Sequence, residues 1–179
     1  MIGELGEKEI KILETYLRNP IRRAYLTEDN AIIAEYQNGK RERIESGIVL
    51  EVLKGSALNR IIEICNEYIP EYKKCKEIKE KDIEKYLNNP EDLISLNEDI
   101  VEYVASTIQR ELFKVIEKYK LKNTYLPTIS DIVQAIYLEG LDFAIDLLEN
   151  IQKGDMEAVY EHLETSFLRL ERLDRNLYF

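Results

Sequence analysis

The side chains able to carry chemistry are few in kind. His162 is the one histidine of the 179-residue chain, and Cys65 and Cys75 are its two cysteines. A structural zinc site needs four Cys/His ligands, or histidines with carboxylates at helical spacing, and this set does not supply them. A Ser/His or Cys/His nucleophile would have to use His162. It stands between Glu161 and Leu163 on a polar-faced helix and reads as a surface histidine. The seven glycines are scattered and no Gly-Lys-Ser/Thr occurs, so no phosphate-cradling loop is encoded. Carboxylates alone are abundant. Glu98, Asp99 and Glu102, and Asp142, Asp146 and Glu149, place acids on neighbouring turns of two long helices. Facing each other in a bundle, such acids could hold Mg²⁺ or Mn²⁺. With 35 acids in the chain these spacings arise by chance, and a solvated face is the expectation. No catalytic residue, no metal and no cofactor are therefore expected.

Binding chemistry is better represented. Arg18, Arg22 and Arg23, with Lys40, Arg41 and Arg43, place six cations on or beside a hairpin that also carries Tyr25 and Tyr36. Basic and aromatic side chains on a small sheet can pair with phosphates and stack bases. Glu28, Asp29, Glu35, Glu42 and Glu45 interleave with them, which equally describes a neutral, salt-bridged surface open to a protein partner. Arg169, Arg172 and Arg175 recur every three residues near the end of the last helix, where cations complement the helix dipole. The chain closes on Leu177, Tyr178 and Phe179, an apolar tail that can dock on its own bundle or in a partner's pocket.

Charge narrows the classes further. The chain carries 25 basic and 35 acidic side chains, a net of −10. Residues 1–60 hold ten of each, so the remainder carries the whole excess. That field repels nucleic acid from the later part and leaves the N-terminal part as its one contact surface. The 45% apolar content is enough for a real core. No stretch reaches the ~20 apolar residues of a membrane span, and the N-terminus lacks a signal peptide's basic start and apolar core. A cytoplasmic location is expected, with two reduced thiols rather than a disulfide, although the disulfide stays open as an alternative. The Lys/Glu bias and the absence of Trp fit a thermophilic, archaeal source.

The elements that would position these residues follow from periodicity. Residues 7–18 read as a helix ended by Asn19-Pro20. Residues 22–26, 31–36 and 40–44 read as an antiparallel β-meander, whose second turn is Asn38-Gly39. From Gly47 the period changes to helical, with short helices ending near Gly55 and Pro70. Residues 71–92 read as exposed helix plus charged linker, closed by Asn88-Asn89-Pro90. Asn97 is the expected cap of a helix running to about Leu121. Thr128 or Ser130 caps a second long helix that carries Ile132 to Leu148 and ends at Gly154. Asp155 caps a third. The expected fold is mainly α: an N-terminal helix plus small β-meander (1–56), a helix and charged linker (57–92), and an acidic antiparallel helical bundle (93–179).

The segment Arg43-Ile-Glu-Ser-Gly-Ile-Val-Leu-Glu-Val-Leu-Lys-Gly55, followed by Arg60-Ile-Ile-Glu-Ile64, is similar to the strand–helix–strand pattern of GINS subunits of the archaeal replicative helicase assembly. Leu93 to Tyr103 resembles that family's entry into its helical domain. The family's proline and tryptophan before the short helix are missing here. The resemblance implies a non-enzymatic scaffold of a DNA-replication complex, bridging protein partners. Glu102-Tyr-Val104, Leu126-Pro-Thr128, Tyr137-Leu-Glu-Gly140 and Gly154-Asp155 resemble, in order, the translin family of helical RNA- and DNA-binding proteins. That family's nuclease acids would fall at Ala105 and Phe143, so its chemistry does not carry over. The resulting expectation is a non-catalytic assembly subunit in nucleic-acid metabolism, and the alternative is a translin-like nucleic-acid-binding protein or metal-dependent nuclease.

Overall fold

The computed structural model describes residues 3–80, 83–119 and 126–177. Among them the chain is mainly helical, with a small antiparallel sheet at the N-terminal end followed by helices. The sheet has the order β1 (Gly3–Glu4), β2 (Ile21–Leu26), β3 (Ile32–Tyr36), β4 (Arg41–Ile44). The expected three-stranded meander thus gains a fourth strand ahead of the first helix, because Gly3 and Glu4 pair with Leu26 and Tyr25. Asn38-Gly39 turns the β3–β4 hairpin, with Gly39 at φ +85 and the Gly39 N–H donating to the Tyr36 carbonyl at 3.0 Å. An L side chain disfavours that backbone, which is why Gly stands there.

Helix α1 (Glu7–Leu17) lies between β1 and β2 in the chain and ends on Arg18, itself left-handed at φ 53. Then come α2 (Gly47–Lys54), α3 (Ala57–Glu67), α4 (Lys73–Glu80), α5 (Glu84–Asn88), α6 (Pro90–Lys118), α7 (Ile129–Glu139), α8 (Leu141–Lys153) and α9 (Met156–Leu177). Arg60–Ile64, a strand in the GINS-like pattern, lies inside α3, as the helical period has it. The sheet buries Ile21, Ala24, Ile32, Ala34 and Tyr36 against Leu13 of α1 and Val49 of α2. A second, larger core runs through α2, α3, α4, α6, α7, α8 and α9 and includes Ile61, Ile100, Ile108, Ile136, Leu141 and Val159, all fully buried. Each such side chain contributes roughly 2 kcal/mol by leaving water.

Four expectations are corrected. First, α6 starts at Pro90, with Pro in the first helical turn where its missing N–H costs nothing. Asn97 therefore does not cap; it lies inside the helix, wholly buried, and neither of its amide atoms has a hydrogen-bond partner. Secondly, the segment after Pro70 is not merely exposed linker, since Cys75, Ile78 and Tyr86 are buried in the larger core. Thirdly, the helix expected from Thr128 to Gly154 is two helices broken at Gly140, whose φ is +106. Lastly, Cys65 and Cys75 form a disulfide, with Cα atoms 5.2 Å apart. Other caps stand where the residues placed them. Thr128 and Asp131 form a capping box, Asp155 accepts the Ala158 N–H at 3.1 Å, and Gly154 ends α8 at φ 77. Among the described residues no helix is long and apolar enough to cross a membrane.

Candidate functional site

The strand register sorts the basic hairpin into two faces. Directly paired residues of an antiparallel sheet share a face, and neighbours along a strand alternate. Arg23 pairs with Glu35 and Glu35 with Arg41; Tyr25 pairs with Ile33 and Ile33 with Arg43. Arg23, Tyr25, Ile33, Glu35, Arg41 and Arg43 therefore share the open face, with Glu4 alongside Tyr25. The opposite face carries Ala24, Ile32 and Ala34 into the core. Tyr36 belongs to that inner face: it is buried, and its hydroxyl donates to Glu42. Burial and the Glu42 carboxylate push the Tyr36 hydroxyl up to about 12. The two tyrosines singled out from the sequence thus point to opposite sides and make no stacking platform together.

The open face is neutralised from within. Glu35, 13% exposed, sits between Arg41 at 3.4 Å and Arg22 at 3.9 Å. Arg22 reaches it because the β2–β3 register shifts between Ile21 and Arg23. Arg23 pairs with Glu4 at 3.3 Å, and Arg43 with Glu45 at 3.0 Å and with Asp29. The Thr27 hydroxyl and Arg43 hold the Asp29 carboxyl below its usual range, and the same partners Asp29 and Glu45 raise the Arg43 guanidinium. Lys40 follows the turn and is exposed, its N–H donating to the Asn38 side chain at 3.0 Å. Arg18 lies apart from this face, in a groove between α1 and α6 with Glu14, Tyr16, Glu91 and Glu98. Sequence reasoning named the cations and, with Glu35, the acids interleaved among them, and missed Ile33 and Glu4 as members of the same surface. The signal for Ile33 was present, since a hairpin turned at Asn38-Gly39 sets it opposite Arg43.

A joint of half-buried polar groups fixes the sheet module to the helices. Ser46 caps α2 by accepting the Val49 N–H at 3.2 Å, and its hydroxyl donates to the Tyr137 carbonyl of α7 at 2.8 Å. A carboxylate oxygen of Glu51 accepts the Leu141 N–H, the first of α8, at 2.7 Å. Gly47 and Gly140 let these elements touch: a β-carbon on Gly47 would run into the Glu139 carbonyl, and one on Gly140 into the Glu51 carboxylate. Burial pushes the Glu51 carboxyl up to about 7, with Asp142 adding to the rise while the Leu141 N–H and Arg60 oppose it. Arg169 of α9 closes the joint, with both carboxylate oxygens of Glu139 at 3.0 Å and Glu45 at 4.0 Å.

The remaining candidates stay dispersed. His162 is exposed, in an open groove of about 350 Å³ with Glu139, Phe143, Glu161, Thr165 and Ser166. Asp99 and Glu102 line a shallow groove beside the packed rings of Tyr72 and Tyr103, whose centroids are 4.0 Å apart. Asp142 pairs with Arg60 at 2.8 Å, and Glu149 with Lys153 at 3.4 Å. Asp146 is exposed. Among the described residues no group of three or more His, Cys, Asp or Glu side chains is placed to hold a metal ion. Arg172 is exposed, Leu177 closes α9, and Tyr178 and Phe179 of the expected docking tail lie outside the described residues. In comparison with known proteins, the chain matches no family model, no curated protein and no solved structure.

Proposed function

We propose that the protein is a non-catalytic assembly subunit that binds a protein partner through the open face of its N-terminal sheet. The observation that carries this reading is the lattice in which Arg22, Arg23, Arg41 and Arg43 each hold a carboxylate around a half-buried centre of Tyr25 and Ile33. A nucleic-acid surface gains its affinity by releasing counterions from phosphates, which requires cations not already neutralised. A protein surface of mixed charge can instead interleave its own acids and bases with this lattice while covering the apolar centre. The charge pattern thus supports a protein partner over the translin-like nucleic-acid reading. Membership of a nucleic-acid-metabolism complex, of the kind the GINS resemblance implies, and a cytoplasmic location belong to the same proposal.

The test is capture of partners from source lysate on the immobilised full chain, beside an Arg41→Gln, Arg43→Gln variant with an unchanged circular dichroism spectrum. A defined partner should be retained by the natural chain and lost by the variant. Equal retention by both, or no retained protein at all, refutes the proposal.

A further inference from the structure

The disulfide joins two helices of unequal means. Cys65 lies in α3, whose Leu58, Ile61 and Ile64 are also buried. Cys75 lies in α4, a helix of eight residues, Lys-Lys-Cys-Lys-Glu-Ile-Lys-Glu, in which Ile78 is the other apolar side chain. A helix that short is not stable alone in water. Its ion pairs are long and partly exposed, Lys74 with Asp99 at 3.8 Å and with Glu77 at 3.9 Å, so they add little. Beside it, Tyr72 packs on Tyr103 of α6, and Tyr103 donates to Glu71 at 3.1 Å. Among its described side chains, Cys75 and Ile78 alone bury α4 in the core, so the sulfur bridge carries much of its hold on α3 and α6.

We propose that Cys65–Cys75 is a redox latch: closed, it straps α4 over the apolar surface of α3 and α6; opened by a dithiol reductant, it lets α4 detach while the rest of the fold stays. In the opening step a thiolate of the reductant attacks one cysteine sulfur, breaks the Cys65–Cys75 bond, expels the other cysteine as a thiolate and forms a mixed disulfide. Its second thiolate then attacks the reductant's own sulfur in that mixed disulfide and releases the cysteine first attacked. Two electrons pass to the bridge, two protons end on Cys65 and Cys75, and the reductant leaves as its own disulfide. Cys65 and Cys75 are 2% and 0% exposed. The attacking thiolate therefore reaches them only in brief local openings beside the bridge, which the intact bridge keeps small, whereas full release of α4 follows reduction. Relatching needs a disulfide oxidant of the same class and reverses each transfer.

The experiment is thiol counting with hydrogen exchange on the full chain, with and without dithiothreitol, in native buffer. The count should rise from zero to two. Backbone exchange in α4 should then quicken on the order of 100-fold, the loss expected when a short closed loop is opened. Exchange in β2, β3, α6 and α7 should not change. A Cys65→Ser, Cys75→Ser variant should exchange like the reduced chain; the natural chain alone decides the matter if that variant does not fold. Free thiols before any reductant would overturn the latch. So would a bridge the reductant never opens, α4 exchange unchanged after both thiols appear, or an equal rise in every helix.

Discussion

Glu51 shows how one residue can make the joint sensitive to pH. Its carboxylate caps α8 from a half-buried site, with the second oxygen buried and without a hydrogen-bond partner. Burial raises the folded-state pKa from an ordinary 4.5 to about 7, so between those values the folded chain holds a proton that the unfolded chain has released. The stabilisation from that bound proton is complete below about pH 4.5 and is lost as pH rises through 7. Urea unfolding should therefore show this component falling by about 1–2 kcal/mol across that window, after allowance for partial solvent screening. Glu51→Gln keeps an acceptor for the Leu141 N–H and should flatten the slope. A variant with the same pH slope as the natural chain would refute this account. Tyr16 and Asn97 raise a related point of residue chemistry. Burial, with Tyr137 and Glu98 adding to it, raises the Tyr16 hydroxyl, while the nearby Asn97 amide pulls it back without making a well-formed hydrogen bond.

At the scale of elements, local signals and long-range constraints separate cleanly in α7 and α8. The capping box of Thr128 and Asp131 satisfies N–H groups at the start of α7. Thr128→Ala should cost about 1 kcal/mol, read as a lower urea midpoint with an unchanged slope. Gly140→Ala should cost more, upward of about 2 kcal/mol, because it adds a left-handed backbone penalty to a collision with Glu51. A loss at Gly140 no larger than at Thr128 would mean that α2 yields easily, against the close packing of Gly47 on Glu139. The box was legible because its residues lie three apart. The break was not, because apolar residues recur across it at helical spacing and the element that forces it, α2, lies 90 residues earlier. Asn97 misled for a complementary reason: an Asn before an apolar run reads as a cap unless the Pro90 start is read first.

For the whole molecule, the net charge of −10 and the paired arginines act together. A fluorescent single strand of about 20 nucleotides should show no anisotropy change with the full chain at about 50 mM salt, where phosphate contacts are strongest. Saturable binding there, weakened steeply by added salt, would instead favour the nucleic-acid reading of the same face. Arg41 and Arg43 also put charge on β4, one of the sheet's two edge strands, which discourages edge-to-edge pairing with other chains there.

The sequence by itself determined the mainly helical class, the β-hairpin at Asn38-Gly39, the caps at Thr128, Gly154 and Asp155, and the buried stripe Ile100, Val104, Ile108 and Leu112. Each is set by residues within a few positions of one another, where backbone preference and burial period suffice. Tertiary structure alone decided that Tyr25 and Tyr36 part company, that the arginines spend their charge on Glu4, Asp29, Glu35 and Glu45, that Gly140 breaks a helix, and that Cys65 meets Cys75. These outcomes depend on which surfaces touch across the fold. Contact between distant segments is settled by packing, which no local spacing records.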